Sequence, residues 1–271
     1  MRNLLLFKEQ KPCNMKLFYT FLFLTISIFS SGQFYLSSGY SLSLPKQEMK
    51  KNIRAVHSLA LSGLYRLPGN MDRVQLGVDF GWGMYASTRK EQTFTFANGD
   101  ITRTDVFYSS MVVQGGLQTR IDLLRNKVVT PYLSGKTGYT SFYSNIFVED
   151  PHDPGGCAPL DQRNIIKDGT IYTGYGGGLQ VDWSIFNRNS RKSRGWIDLT
   201  VNNIQGGNLN YINTKKLVDA NNPPVNSDGK PLNITFINAS TQQLHEHQVA
   251  EVYTSPLRML ELKISATFLL N

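Results

Sequence analysis

Four histidines, His57, His152, His245 and His247, and two cysteines, Cys13 and Cys157, are the first places to look for chemistry. An imidazole within hydrogen-bond reach of a hydroxyl is the minimal pair for nucleophilic catalysis. His57 is followed at once by Ser58. The residues around them alternate apolar and polar, however, and neighbours in a strand point to opposite faces. The two therefore predict no nucleophile and base, and His57 reads as an interfacial residue at a strand end. No Gly-x-Ser-x-Gly elbow occurs anywhere in the chain. His245-Glu246-His247 would put two imidazoles on one side of a strand, and Asp150, His152 and Asp153 form a second group. Together they have the ligand types for a surface metal ion, but not a diagnostic spacing, so no metal site is expected. Cys157, in Pro154-Gly155-Gly156-Cys157, is either a free loop thiol or a partner in an intermolecular disulfide. Asn233-Ile234-Thr235 and Asn238-Ala239-Ser240 match a glycosylation pattern and read as ordinary loop sequence.

A larger set of ionisable residues falls in the polar half of alternating segments: Arg66, Asp79, Arg120, Asp122, Lys136, Asp182, Asp198, Glu261 and Lys263. Buried charges persist only when paired and hydrogen-bonded, and five acids against four bases is near balance, so an internal ion-pair network is expected. An acid/base pair or proton path is the competing use of the same carboxylates. Ser58, Ala60, Gly77, Gly81 and Gly83 share the inward positions and leave room for long partners.

These side chains can meet only if the segments carrying them are strands. Period-two alternation recurs in eight stretches, from Phe34, Leu36, Tyr40 and Leu42 near the start to Leu260, Leu262, Ile264, Ala266, Phe268 and Leu270 at the end. Short connections (Pro68 to Asp72, Arg125 to Lys127, Asn187 to Gly195) alternate with long polar ones over 44–52, 86–104, 148–169 and 213–254. Each segment supplies the ~9–11 residues of a tilted membrane-crossing strand, and short turns opposite long loops are the order of an outer-membrane barrel. Phe34, Tyr65, Tyr132, Tyr143, Trp183, Phe186, Trp196, Tyr211 and Phe268 lie near segment ends, where interfacial girdles belong. Asn98-Gly99, flanked by Thr93 to Phe96 and Ile101 to Thr104, predicts a hairpin beyond the membrane. A soluble, secreted β-sandwich binding protein would use the same alternation with its apolar side turned inward.

Composition bounds the remainder. A chain of 271 residues with 41% hydrophobic residues, mean hydropathy −0.26 and formal charge +8 is neither disordered nor a bundle of membrane helices. Leu17 to Phe29, after Lys16 and before Ser30-Ser31-Gly32, has the length of a secretory signal. Cleavage is expected after Gly32, the true start is expected at Met15, and residues 33–271 are expected to form one barrel domain. Residues 1–32 hold four basic side chains and one acidic, leaving +5 on 33–271. The absence of a cysteine behind the apolar run argues against a lipoprotein. The basic residues follow no nucleic-acid motif. Their one dense run, Arg188, Arg191, Lys192 and Arg194, falls in a turn expected to face the periplasm.

The Ser-Ser-Gly-Gln ending of the signal, Val129-Thr130-Pro131-Tyr132-Leu133-Ser134-Gly135, Gly174-Tyr175-Gly176-Gly177-Gly178 and Leu262-Lys263-Ile264-Ser265-Ala266-Thr267-Phe268 carry a resemblance. Across nearly all of 34–270 the chain resembles small bacterial outer-membrane β-barrel proteins, the eight-stranded type typified by the OmpA transmembrane domain and common in Bacteroidota-like bacteria. It departs from them in finishing Phe268-Leu269-Leu270-Asn271 instead of on an aromatic residue. The resemblance implies an antiparallel up-and-down transmembrane barrel in the outer membrane, contacts with its lipid and lipopolysaccharide, and no cofactor. The expected role is non-enzymatic: envelope integrity, adhesion, or an accessory subunit bound to an outer-membrane or periplasmic protein. A lipid A-modifying enzyme and a narrow channel are the alternatives.

Overall fold

The computed structural model describes residues 32–95, 101–124, 128–148, 161–185, 195–215, 229–237 and 244–270. Among the described residues the strands are β1 (Gln33–Pro45), β2 (Val56–Arg66), β3 (Val74–Thr95), β4 (Ile101–Asp122), β5 (Val129–Val148), β6 (Asp161–Asp182), β7 (Gly195–Ile212), β8 (Lys230–Ile237) and β9 (Leu244–Leu269). One short helix, α1 (Gln47–Asn52), joins β1 to β2. All pairings are antiparallel, and sequential neighbours pair from β1 through β7, with β9 beside β7. β1 then pairs with β9, from Tyr35↔Leu269 to Pro45↔Met259, and closes the sheet into an eight-stranded barrel. A two-layer sandwich is thereby excluded, because a single sheet meets itself and leaves no second layer to cover its outer face. No helix among the described residues is long and apolar enough to cross a membrane, which says nothing of a β-barrel.

The alternation read from sequence sets the two faces. Leu59 (63% exposed), Val78 (59%), Leu117 (64%) and Ile171 (71%) stand on the outside, while Asp79, Arg120, Asp122, Lys136 and Glu261 are buried inside. Because the period along a strand is two, a slip of one residue anywhere in the ladder would exchange these sets and bury aliphatic groups against charges.

Three departures from the sequence expectation have physical causes. First, the strands run far into the segments expected as long connections: β3 and β4 stay paired to Thr95↔Ile101 and β5 and β6 to Val148↔Asp161. An antiparallel ladder satisfies backbone groups wherever it continues, whether or not a face is buried. Polar sequence above the apolar belt is therefore still strand, and Asn98-Gly99 falls between the paired flanks but outside the described residues. Second, the 213–254 connection holds β8, which pairs with the start of β9 from Lys230↔Val252 to Ile237↔Leu244, outside the eight-stranded wall. Third, Tyr132, Trp196 and Tyr211 leave the expected outer girdle. Tyr132 and Tyr211 are buried in the interior, and Trp196 packs edge-on to buried Tyr35 with ring centroids 5.5 Å apart. Tyr132 shares its parity with Ser134 and Lys136, and Trp196 with Asp198. Tyr211 is turned inward by the irregularity between Gln205 and Asn208, which shifts the buried set of β7 from Asn202 and Ile204 to Leu209 and Tyr211.

At the long-connection end an apolar plug fills the mouth. Met49 of α1 and Ile53 just after it are fully buried against a cluster that includes Tyr85, Phe142, Tyr172 and Tyr211. Lys46 N–H donates to Arg258 O at 2.8 Å and Thr214 N–H to Asn52 O at 2.9 Å, so the chain is tied to the wall on both sides of the helix. Gln47 takes φ 52°, the left-handed conformation that turns the chain from β1 into the mouth.

Candidate functional site: the charged interior

Eight of the nine ionisable residues singled out from sequence meet inside the barrel in two groups. Toward the short turns, Arg120 of β4 is the centre of the first. Its Nε donates to Asp122 Oδ1 at 3.2 Å, Nη1 to Asp198 Oδ1 at 2.9 Å and Nη2 to Gln180 Oε1 at 2.6 Å. Arg66 Nη2 donates to Asp122 Oδ2 at 3.0 Å, and Gln75 Nε2 lies 3.3 Å from the same oxygen. Thr267 Oγ1 hydrogen-bonds to Asp198 Oδ2, and Ser37 Oγ lies 2.5 Å from Thr267 Oγ1. Two guanidinium groups thus face two carboxylates.

The second group lies deeper, between the first and the apolar plug. Lys136 Nζ is 3.2 Å from Asp79 Oδ2 and 2.7 Å from Glu261 Oε2, and Lys263 Nζ is 2.8 Å from Asp79 Oδ1. Asn202 Nδ2 donates to Glu261 Oε2 at 2.8 Å, Ser134 Oγ to Asn202 Oδ1 at 2.6 Å and Lys263 Nζ to Ser62 Oγ at 3.2 Å. Two ammonium groups face two carboxylates, so each group is neutral by itself. That balance matters, because a buried unpaired ion costs far more than the pair returns.

Glycines on β6 make the space. A Cβ at Gly174 would lie 2.9 Å from Lys136 Cγ, and one at Gly178 would lie 2.6 Å from the hydroxyl end of Tyr132 and 2.3 Å from Leu199 O. The inward face of β6 is therefore a slot across which the β5 side chains Tyr132 and Lys136 extend toward β7 and β9. Tyr132 OH ends 2.6 Å from Thr200 Oγ1.

Asp182 stands apart from both groups. It is the last residue of β6, and its Oδ1 accepts the Ser184 N–H at 2.7 Å, capping the turn Trp183–Ile185. Without it the two groups hold four acids and four bases in place of the five and four expected. The neutral partners Gln75, Gln114, Gln180 and Asn202 fall in the polar half of the alternating segments with the charged residues, but alternation alone does not mark them as members of the network. The plug was missed as well, and its signal is present: Leu257 and Met259 continue the inward positions of Glu261 and Lys263 with apolar residues.

Outside the lumen the candidate groups do not converge. His57 is exposed at the start of β2, its Nδ1 hydrogen-bonded to Tyr40 OH, with Ser58 on the opposite face. His245 and His247 lie in β9 opposite Phe236 and Ile234, in a stretch whose side chains fall outside the described residues. Asp150, His152, Asp153 and Cys157 fall outside them too. Among the described residues no cluster of His, Cys, Asp or Glu could hold a metal ion.

In structure the chain is similar to neisserial surface protein A, NspA (TM-score 0.36, 10% identity, covering 88% of this chain and 96% of that one). It is also similar to Ail, the attachment invasion locus protein of Yersinia pestis, solved with the heparin analogue sucrose octasulfate (TM-score 0.33, 14% identity, 88% and 98%). A third similar structure is a major outer membrane protein from Thermus thermophilus (TM-score 0.42, 9% identity, 88% and 98%). No family model and no curated sequence matches the chain. The barrel itself is fixed by the β1–β9 register and the polarity of its two faces.

Proposed function

We propose that this chain is a non-enzymatic β-barrel of the bacterial outer membrane, whose rigid wall displays the long connections for a structural or interaction role: envelope integrity, adhesion, or membership of a larger envelope complex. The supporting observation is the inverted distribution of polarity. Aliphatic and aromatic groups ring the outside, while eight charged side chains pair within. In water each Å² of such a belt costs roughly 25 cal/mol, and hydrocarbon removes that cost. A closed barrel also leaves no unpaired backbone edge in the lipid.

The short turns then face the periplasm, the long connections face outward, and outer-membrane lipid with lipopolysaccharide is the solvent of the belt. The OmpA-like and Bacteroidota-like affinity stays part of this proposal. A narrow channel is disfavoured by the two ion-paired groups and the plug stacked along the lumen. A lipid-modifying enzyme is disfavoured by the pairing of His57 with Tyr40 instead of with a serine. The test is fractionation of expressing cells combined with electrophoresis of unheated and heated samples. The protein is expected in the outer-membrane fraction with a band that shifts on heating, as closed barrels do; recovery in the soluble fraction without a shift overturns the proposal.

A further inference from the structure

We propose that the outer wall carries a binding site for an anionic, phosphate-headed lipid, in the notch where β2 ends beside β3. The site rests on the membrane reading above. β2 pairs with β3 only as far as His57↔Met84, whereas β3 continues to Thr95. At that level the ladder between β3 and β4 shifts register between Met84 and Ala86, and the chain ahead of β2 has left the wall for α1. Among the described residues, the β3 edge above Met84 therefore has no strand beside it, and its backbone groups on that side lack a ladder partner.

The notch has two chambers. The lower, of about 240 Å³, lies on the apolar belt between Tyr40, Leu59, Trp82, Met84 and Met111. The upper, of about 280 Å³, is bordered by Arg54, Ser87, Thr88 and Thr214. His57 and Met84 border both. An acyl chain matches the first in polarity. A phosphate matches the second, which offers the Arg54 guanidinium, the Ser87 hydroxyl and the unladdered edge of β3, while Thr88 has the opposite parity and the buried Thr214 hydroxyl donates to Asn52 O. Arg54 is exposed and makes no ion pair among the described residues. The stretch 46–54 around it carries Lys46, Lys50, Lys51 and Arg54 against Glu48 alone, a field that favours an anion at this level of the wall. Tyr40 OH engages His57 Nδ1 and leaves Nε2 as the second polar atom at the junction of the chambers. The polar chamber sits at the margin of the belt, where headgroups lie. A free inorganic anion would leave the apolar chamber unused, so the lipid is the better occupant.

The test uses the full chain refolded into phosphatidylcholine nanodiscs, with Trp183 and Trp196 replaced by Phe so that Trp82 alone reports. Phosphatidic acid with brominated chains is expected to quench Trp82 at roughly fivefold lower mole fraction than phosphatidylcholine with the same chains, the weight of one basic side chain at a membrane surface. Arg54→Gln is expected to abolish that preference while the heat-dependent gel shift persists. Native mass spectrometry of the protein with all its tryptophans, counting retained phosphatidic acid, gives the same comparison if the Phe substitutions impair folding. Equal quenching by the two lipids, or equal retention, overturns the site. Relief of the quenching by inorganic phosphate overturns the lipid assignment in favour of a free-anion site. Loss of the gel shift in the protein with Arg54 intact is a different result, and it strikes the membrane reading itself.

Discussion

Arg120 of β4 lies over the ring of Tyr132 of β5, 3.6 Å from its centroid, and from that position reaches Asp122, Asp198 and Gln180. The ring shields one face of the guanidinium while its edge meets oxygen acceptors, the arrangement in which a planar delocalised cation tolerates burial better than an ammonium. The same ring extends over Gly178 of β6, so cation, ring and glycine form one packing unit across three strands.

Removing that cation should be costly. Arg120→Ala leaves Asp122 and Asp198 with Arg66 as the only cation of their group, and breaking a buried pair from one side costs about 3–5 kcal/mol. Arg120→Lys should fall between, since an ammonium can neither stack as a plane nor serve three acceptors in the same fork. Urea unfolding in detergent micelles, followed by tryptophan fluorescence, measures both. An Arg120→Ala protein within about 1 kcal/mol of the parent, the range of an exposed pair, would mean that the group contributes little.

The glycines of β6 should differ in their tolerance of a methyl group. At Gly178 the added Cβ meets the Leu199 carbonyl, which belongs to the neighbouring strand and cannot move without opening the ladder, so Gly178→Ala should destabilise by about 1–3 kcal/mol. At Gly174 the close contact is the Lys136 Cγ, a side-chain atom and not strand backbone, though its Nζ is held by Asp79 and Glu261; Gly174→Ala should therefore also destabilise, but by less than Gly178→Ala. The same unfolding measurement ranks them; the reverse order would refute the slot.

Much of this interior was legible in the sequence because one rule, period-two alternation, governs it. Arg66, Asp79, Arg120, Asp122, Lys136, Asp198, Glu261 and Lys263 are recognisable as inward residues from their neighbours alone. Asp182 obeys the same parity, yet the ladder ends there, and at a strand end the backbone of the turn offers a nearer partner. Which acid meets which base was not legible, since that depends on the stagger between distant strands: Lys136 and Glu261 are adjacent only because β6 and β7 present glycine and small polar residues between them. Tyr211 was misplaced for a related reason. A single irregularity in β7 inverts parity, and nothing local in Gly206-Gly207 says on which side the chain resumes.

The plug and the charged groups should block the lumen independently. Met49→Ala with Ile53→Ala opens space at the mouth and should cost about 2–5 kcal/mol for each residue, as buried large-to-small changes do. Both charged groups remain below it, so planar-bilayer recordings of this variant should be as silent as those of the parent. Discrete conductance steps from the variant alone would show that the plug, and not the ion pairs, seals the barrel.

The solvent of the outer face is the quantity on which the functional reading turns, and a single outward residue can report it. Val78 is 59% exposed and lies in the wall-forming part of β3, opposite Gly63 on β2 and Leu117 on β4. If hydrocarbon touches it, Val78→Arg places a cation near the middle of the bilayer and should reduce folding stability in lipid by about 2–4 kcal/mol. Asn208→Arg, at an exposed position above the belt on β7, should cost less, because the penalty fades toward the interface. If water touches Val78, the arginine is an ordinary surface charge, and both variants should lie within about 0.5 kcal/mol of the parent. Equilibrium refolding into vesicles separates these outcomes, and a neutral Val78→Arg would remove the membrane from the account of this protein.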